Sequence, residues 1–392
     1  MAFLRDEYGV IRYDYILIGI ILLLILLGFV VLFSASFLQA GNDSRFQNDG
    51  FGPMMGNFSA LFVFLGLLIL FVLMKFFFFR DKSINSRFFV YSILWGTIFI
   101  NIIPIVLFRL DLSKDLRWFS VIGIRFQPSE FIKIALPLYL AYKFNQNKEN
   151  VNAFCKCLIP VFLFTGILFS LVLAQKNLSD AVLIALFSFF ICLASGIRVG
   201  WFALALAIII PIGFAFINSD ETWNKRWNNH WKPLSTLNDK DEGYQIIHSI
   251  RALEAGGFSG VGIGHGERKI NVPEVHGDFV FSSYAEETGF LGVLLYLALT
   301  GSFAGICYIV AWQSKDRFIQ LFVFGLITPI VLQILINISV VARILPVTGI
   351  PLPFFSSGGT SMLVMLIIST FLVYFTRKTI KSGDMRGLKY DG

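Results

Sequence analysis

Long apolar segments dominate the chain, and short polar stretches separate them. Ten of these segments have about the 20 residues that an α-helix needs to cross the hydrocarbon core of a bilayer. The pattern therefore predicts an all-α polytopic membrane protein with about ten transmembrane helices. The predicted spans cover residues 15–37, 58–79, 88–108, 128–144, 158–174, 180–196, 199–217, 284–312, 318–345 and 361–376.

One long polar stretch, residues 218–283, interrupts this pattern between the seventh and eighth predicted spans. It is rich in glycine and aromatic residues and carries many titratable groups, so we expect it to lie in water. We interpret it as a large loop within a single membrane domain of residues 1–392. Residues 377–392 are predicted to form a tail.

Composition and charge agree with a membrane protein. Only 15% of the residues are charged and 56% are hydrophobic, whereas a soluble domain has about 25% charged residues. The net charge of +7 is explained by basic residues in the short loops of one side, and it does not indicate a nucleic-acid partner. The same bias predicts that both termini face the cytoplasm and that the loop of residues 218–283 is extracytoplasmic.

The termini and cysteines add little chemistry. The first apolar segment, residues 15–37, is too long for a signal peptide and is predicted to be a retained span. The four cysteines do not have the spacing of a zinc site, so we expect them to be reduced and structural.

A charged pair begins the fourth predicted span, where Gln127, Pro128, Ser129 and Glu130 are followed by Lys133. Proline suits the first position of a helix, and residues three apart share a helix face. Charged side chains inside a span cost several kcal/mol unless they are satisfied, and they often line a site. Two interpretations stay open, a pair that lines a site and a pair that fixes helix packing.

The end of the long loop carries an acid without an obvious structural role. Asp278 is flanked by Phe279 and Val280, and apolar neighbours raise a carboxylate pKa towards the range of a general base. A simple helix-entry acid is the alternative. By contrast, Ser283 and Glu286 have the spacing of a capping box, which predicts a helix start there.

Glycines recur from Gly256 to Gly266, and Arg268 and Lys269 follow them. A dinucleotide-binding loop needs a strand before it and a helix after it, so we exclude that function. Glycines let the backbone approach a ligand closely, and cations follow them here, so the pattern predicts a site for a pyrophosphate or a glycan. A flexible hinge is the alternative. The nearby Glu274 and His276 do not have the spacing of a common metal site.

Prolines and glycines also interrupt the apolar pattern before the last span. Pro351, Pro353, Gly358 and Gly359 lie in this segment, which begins at residue 346. Non-helical backbone at membrane depth needs protein or water around it. We therefore interpret the segment as re-entrant rather than as an ordinary turn.

Taken together, these motifs resemble the SEDS (shape, elongation, division and sporulation) family of bacterial cell-wall polymerases. The resemblance covers nearly the whole chain and is strongest at residues 273–281 (Pro-Glu-Val-His-Gly-Asp-Phe-Val-Phe). The other matching motifs are residues 28–36, Arg117 with Trp118, residues 126–133, residues 243–245, residues 285–290, Gln333, Asn337 and residues 346–361.

The chain departs from the family pattern at three places. Residues 175–181 (Gln-Lys-Asn-Leu-Ser-Asp-Ala) replace an acidic-Pro-Asp-Leu-Gly-Thr motif, so the role of the family aspartate is not carried over to this segment. Gly277 replaces a threonine, and Ser357 replaces a tyrosine.

The resemblance implies a peptidoglycan glycosyltransferase that polymerises lipid II at the outer face of the bacterial cytoplasmic membrane. It implies that Asp278 is the catalytic aspartate, acting as the general base. We expect the residues that bind substrate or pyrophosphate to be Arg117, Glu130, Lys133, Arg268, Lys269, Glu274 and His276. Gln127, Pro128, Ser129, Pro351, Pro353, Gly358 and Gly359 are expected to shape the site.

The implied partners are lipid II, membrane lipids and a class B penicillin-binding protein, a transpeptidase. No resident cofactor or metal is predicted, although a divalent cation that bridges a phosphate and a carboxylate stays open. Two other functions are also open, a flippase for lipid-linked cell-wall precursors and a non-catalytic scaffold.

Overall fold

The computed structural model describes residues 12–42, 84–113, 115–121, 124–233, 243–268, 277–355 and 359–381. These residues are mostly helical. Helices α1 to α11 are Tyr13–Asn42, Arg87–Arg109, Ile132–Gln146, Ile159–Ala174, Leu178–Ser195, Val199–Ser219, Glu221–Trp231, Gly243–Gly256, Val280–Gln313, Arg317–Val341 and Gly359–Lys381. A 3-10 helix, Pro128–Phe131, leads into α3, and a π-helical turn, Phe154–Leu158, leads into α4.

Seven helical segments within this described part are long and apolar enough to cross a membrane. They are α1, α2, α4 with its π-helical turn, α5, α9, α10 and α11. Every predicted span that falls on described residues corresponds to a helix, although the ninth, predicted to residue 345, ends at Val341. The second, residues 58–79, lies outside the described residues. The prediction of a helical, multi-pass membrane protein is therefore confirmed, and the number of ten spans stays a prediction.

Helix α10 lies at the centre of the bundle, where it packs against α3, α5 and α9. Phe322, Leu326 and Ile330 on this helix are fully buried. A side chain at Gly325 would come within 2.9 Å of the Pro137 ring on α3, so the glycine permits the close approach of the two helices.

A short antiparallel hairpin precedes the 3-10 helix, and the sequence analysis did not predict it. Its strands are β1, Phe119–Val121, and β2, Ile124–Phe126. The rings of Phe119 and Phe126 pair across the strands with centroids 5.7 Å apart. The hairpin delivers the chain to Pro128, which begins the 3-10 helix as its fixed φ angle favours.

The described part of the predicted loop, residues 218–283, includes helices α7 and α8. Asp220 caps α7 by accepting hydrogen bonds from the backbone N–H groups of Thr222 and Trp223 at 3.1 Å. At its other end, the Arg343 guanidinium donates to the carbonyl groups of His230 and Lys232, and it meets the negative end of the helix dipole. Helix α8 packs along α9.

The glycine-rich segment packs against a break in α9. Gly289 has φ 64° and ψ −164°, which interrupts the helix and leaves carbonyl groups without helical partners. The N–H groups of Val261 and Gly262 donate to the carbonyl groups of Glu286 and Glu287 at 3.0 Å. A side chain at Gly260 would overlap the Glu287 carbonyl. The segment is thus a docked part of the fold, and the flexible-hinge interpretation is wrong for these glycines.

The predicted helix start at Ser283 and Glu286 is also wrong. Helix α9 begins at Val280, so both residues lie inside it. The Glu286 carboxylate accepts a hydrogen bond from the backbone N–H of Arg268 at 2.7 Å. Glu287 accepts one from the Ser34 hydroxyl on α1 at 2.5 Å and one from the Gly264 N–H at 2.9 Å. The two acids therefore do not cap a helix. They hold the glycine-rich segment to the bundle instead.

We predict that Gly260→Ala destabilises the protein more than Gly264→Ala. Both glycines have positive φ angles, 79° and 83°, so both substitutions carry the same backbone strain. Only the methyl group at residue 260 meets another backbone, whereas nothing lies within 4 Å at residue 264. Overpacking of this kind costs about 1–3 kcal/mol.

Thermal unfolding of the two variants in the same detergent measures the difference. A lower melting temperature for Gly260→Ala supports the docking. Equal melting temperatures for the two variants contradict it.

Candidate functional site

Asp278 lies two residues before α9 and is half-buried. The side-chain amide of Asn337 on α10 donates to the Asp278 carbonyl at 2.7 Å and to the Ile350 carbonyl at 2.9 Å. A side chain at Gly349 would come within 3.3 Å of Oδ2 of Asp278, so the carboxylate faces the backbone of this glycine. The acid is thus placed against the non-helical segment that follows α10.

That segment, residues 346–355, runs without helix or strand between α10 and α11. Ile350, Leu352 and Phe354 are buried, so the backbone is enclosed by protein. On α1, a side chain at Gly28 would overlap the Phe354 carbonyl, so α1 also approaches it closely. Pro351 and Pro353 lie within the segment, and Gly359 begins α11.

Glu130 and Lys133 form an ion pair at the start of α3. The Lys133 ammonium contacts both carboxylate oxygens at 2.7 and 2.8 Å, and both side chains are buried. Because the carboxylate is paired and hydrogen-bonded, the pair avoids most of the penalty for burying a charge.

Asp180 is a buried acid to which the sequence analysis assigned no role. Its Oδ2 accepts hydrogen bonds from Ser129 Oγ at 2.7 Å, Asn177 Nδ2 at 2.7 Å and Gln127 Nε2 at 3.2 Å. We call these four residues the Asp180 cluster. It joins the first turn of α5 to the segment that carries Glu130.

Arg117 lies beside this cluster, ahead of strand β1. Its guanidinium donates to the carbonyl of Lys176, the residue before Asn177. Burial lowers the pKa of Arg117, and the attraction of Asp180 opposes that shift. Arginine nevertheless stays protonated in proteins, so Arg117 is a partly desolvated cation, and an anion would interact with it more strongly than with a cation in water.

Two further hydrogen bonds connect these groups to the segment beside Asp278 and to α11. The Ser179 hydroxyl donates to the Thr348 carbonyl, one residue before Gly349. The Gln127 N–H donates to the Thr360 hydroxyl at the start of α11 at 3.2 Å. Residues far apart in the sequence, around 127–133, 177–180 and 348–350, therefore form one connected assembly with Asp278 at its edge.

Gln333 adds a buried polar group on α10, one turn from Asn337. It is fully buried, and within the described residues neither its amide oxygen nor its amide nitrogen has a hydrogen-bond partner. A buried amide without partners is costly, so groups of this kind usually meet water or a ligand.

The other predicted site residues are exposed or lie outside the described part. Arg268 is exposed, and its backbone N–H is bonded to Glu286. Lys269, Glu274, His276 and Gly358 lie outside the described residues. Among the residues that are described, no group of three or more His, Cys, Asp or Glu side chains has an arrangement that would hold a metal ion.

Comparison with known proteins places the chain in a family. A family model described as cell cycle protein FtsW, RodA and SpoVE matches residues 14–381. A probable peptidoglycan glycosyltransferase FtsW from Borreliella burgdorferi is 33% identical over 93% of this chain and 96% of the relative. A second relative of the same description, from Bacillus subtilis, is 30% identical over 94% of this chain and 93% of its own length.

Solved structures have the same fold. A chain of a peptidoglycan synthase complex that coordinates polymerization and crosslinking superposes with a TM-score of 0.67 at 24% identity, and 93% of this chain and 97% of the other are covered. The rod shape determining protein RodA from Thermus thermophilus superposes with a TM-score of 0.62 at 23% identity, over 92% and 96% of the two chains. The chain belongs to the FtsW, RodA and SpoVE family of cell cycle proteins, which confirms the resemblance to the SEDS family.

Proposed function

We propose that this protein polymerises lipid II into β-1,4-linked glycan strands and that Asp278 is the general base of the reaction. The relatives described above are named peptidoglycan glycosyltransferases, in agreement with the reaction class predicted from the sequence. The chemical mechanism is our inference from the arrangement of the described residues.

In this mechanism, Asp278 accepts the proton of the acceptor sugar's 4-hydroxyl group. The oxygen attacks the anomeric carbon of the donor sugar and forms the new glycosidic bond. The bond between that carbon and the pyrophosphate oxygen breaks, and undecaprenyl pyrophosphate leaves with the bonding electrons. Because attack and departure occur on opposite faces, the configuration at the anomeric carbon inverts.

Cations are needed where negative charge develops on the leaving pyrophosphate. Arg117 is the best placed of the described candidates, since it is partly desolvated and adjoins the Asp180 cluster. Lys133 carries a second positive charge on the same side of the assembly, although Glu130 already pairs with it. Arg268 and Lys269 are further candidates from the sequence.

The observation that carries this proposal is the connected assembly itself. Asp278 faces Gly349, and the neighbouring Thr348 is bonded to Ser179, next to Asp180. Through Ser129, the same cluster holds the segment that carries Glu130 and Lys133. A proton acceptor and candidate cations for a leaving phosphate thus belong to one connected set of contacts.

The proposal includes the setting of the enzyme. Ten spans in the cytoplasmic membrane, with both termini in the cytoplasm, would place residues 218–283 and Asp278 at the outer face. The partner would be a class B penicillin-binding protein that crosslinks the new strands. The related complex that coordinates polymerization and crosslinking supports this choice. A divalent cation between a phosphate and a carboxylate stays part of the proposal to be tested.

Flipping of lipid-linked precursors is the second candidate function. The buried Glu130 and Lys133 pair and the broken segment at residues 346–355 are features that carriers also have. Reconstituted vesicles separate the two functions. Movement of lipid II between leaflets without chain growth favours the carrier.

We predict that Asp278→Asn inserts and folds normally but loses polymerisation by about 100- to 10,000-fold, the usual effect of removing a positioned general base. Gel analysis of glycan chains made from purified lipid II measures this loss. Glu267→Gln is the matched control, since it removes an exposed acid of the same loop and is expected to leave activity unchanged. Normal chain growth by Asp278→Asn refutes the role of the acid.

A second prediction separates the two interpretations of the buried ion pair. Lys133→Met leaves the Glu130 carboxylate buried without its cation, which costs about 3–5 kcal/mol, so we expect little folded protein. The double variant Glu130→Gln with Lys133→Met removes both charges and recovers most of the stability. If Lys133 assists the leaving group, the double variant polymerises lipid II at least about ten-fold more slowly than the wild type.

Melting temperature and initial rate are measured on the same preparations of these variants. A stable double variant with the wild-type rate identifies the pair as a packing element alone.

A further inference from the structure

Asp180 has more hydrogen-bond donors than a helix-entry acid needs. It lies in the first turn of α5 and is buried, with 6% of its surface exposed. Three side chains donate to a single oxygen of its carboxylate, and two of them, from Gln127 and Ser129, belong to another part of the fold. Hydrogen bonds to a charged acceptor are shorter and stronger than those between neutral groups.

Capping of α5 does not require this carboxylate. Asn177 is the N-cap residue, and its side-chain oxygen accepts the hydrogen bond from the Asp180 N–H at 3.3 Å. Besides Asn177, Oδ2 of Asp180 accepts hydrogen bonds from Ser129 Oγ at 2.7 Å and Gln127 Nε2 at 3.2 Å, which lie on another segment. The acid therefore serves a contact between segments rather than the helix start.

The charge of Asp180 acts on the groups that surround it. It attracts the Arg117 guanidinium and repels the Glu130 carboxylate. Lys133 in turn neutralises Glu130. Asp115 and Asp220 also attract Arg117, so removal of Asp180 would weaken the attraction on this cation without abolishing it.

Ser179, the residue before Asp180 in the sequence, contacts the segment beside the general base. Ser179 donates to the Thr348 carbonyl, and the next residue, Gly349, faces the Asp278 carboxylate. The position of Asp180 therefore affects both the cations and the proton acceptor.

We propose that Asp180 is a positioning residue for glycosyl transfer, which through Gln127 and Ser129 holds the turn that presents Glu130 and Lys133 in the geometry that receives the donor's pyrophosphate. This inference rests on the proposed function. It assigns a role to residues 175–181, where the chain departs from the family pattern. This role is inferred from contacts within this chain.

The chain offers an exchange experiment. Asn177 Nδ2 and Asp180 Oδ2 lie 2.7 Å apart, so exchange of the two residues moves the negative charge by about one hydrogen-bond length. Aspartate caps a helix as well as asparagine does, so the exchange keeps the N-cap. The variants are Asp180→Asn and the double variant Asn177→Asp with Asp180→Asn. Ser188→Ala is the control, because it changes another buried polar residue of α5 that lies outside the assembly.

The measurements are kcat and KM for polymerisation of lipid II by the full-length protein, together with its melting temperature. We expect Asp180→Asn to lower kcat by about ten- to a hundred-fold, as misplacement of a reacting group does, with KM within about three-fold of the wild type. The exchange variant regains kcat to within about three-fold of the wild type, and Ser188→Ala stays at the wild-type value.

Three results overturn the inference. The first is a kcat for Asp180→Asn within two-fold of the wild type. The second is an exchange variant that folds but is no more active than Asp180→Asn. The third is failure of both variants to fold while Ser188→Ala folds, which would make Asp180 a structural residue only. If Asp180→Asn alone fails to fold, the exchange variant decides: a folded, active protein supports the inference, and a folded, inactive one overturns it.

These results are distinguishable from failure of the proposed function. A wild-type protein that forms no glycan, or an Asp278→Asn protein that forms normal glycan, contradicts the proposed function. An active wild type with an equally active Asp180→Asn variant contradicts this inference alone.

Discussion

Non-helical backbone within a membrane bundle is stable only where other parts of the protein satisfy its polar groups. Residues 346–355 meet this requirement through side chains of two helices. Asn337 on α10 holds the Ile350 carbonyl, and Ser179 on α5 holds the Thr348 carbonyl. The hydrogen bonds of this segment also position the site. Asn337 holds the Asp278 carbonyl as well, and Gly349 lies against the Asp278 carboxylate. The position of Asp278 therefore follows from the hydrogen bonds that the backbone of the non-helical segment requires.

Backbone carbonyl groups also lose their helical partners at the break in α9, and glycines allow other backbone groups to reach them. Carbonyl groups released near Gly289 are satisfied by N–H groups of the glycine-rich segment, which approaches within backbone contact because Gly260 has no side chain. The buried carboxylates of Glu286 and Glu287 complete the contact by accepting N–H groups of the same segment. The glycine-rich segment is thereby anchored to α9 as far as Arg268.

Sequence reasoning was most successful for features that depend on local composition. Apolar length predicted the helices, since crossing a bilayer constrains composition over about 20 consecutive residues. The face shared by Glu130 and Lys133 followed from helical spacing, and the structure has this ion pair. The non-helical course of residues 346–355 was signalled by Pro351 and Pro353.

Features that depend on contacts between distant segments were missed. The acid at Asp180 has partners about 50 residues earlier, at Gln127 and Ser129, so its own neighbourhood in the sequence carried no signal except its departure from the family pattern. Glu286 was misassigned because a capping box is a short local pattern, whereas its real partner is the backbone of Arg268. The signal that would have helped is the presence of two adjacent acids inside an otherwise apolar segment, which demands partners.

A structure of the protein with a bound lipid II analogue tests the central claim most directly. The account predicts that the donor pyrophosphate contacts the Arg117 guanidinium and that the acceptor's 4-hydroxyl lies about 3 Å from the Asp278 carboxylate. A pyrophosphate bound away from Arg117, or an acceptor sugar on the side of the bundle opposite Asp278, would contradict it.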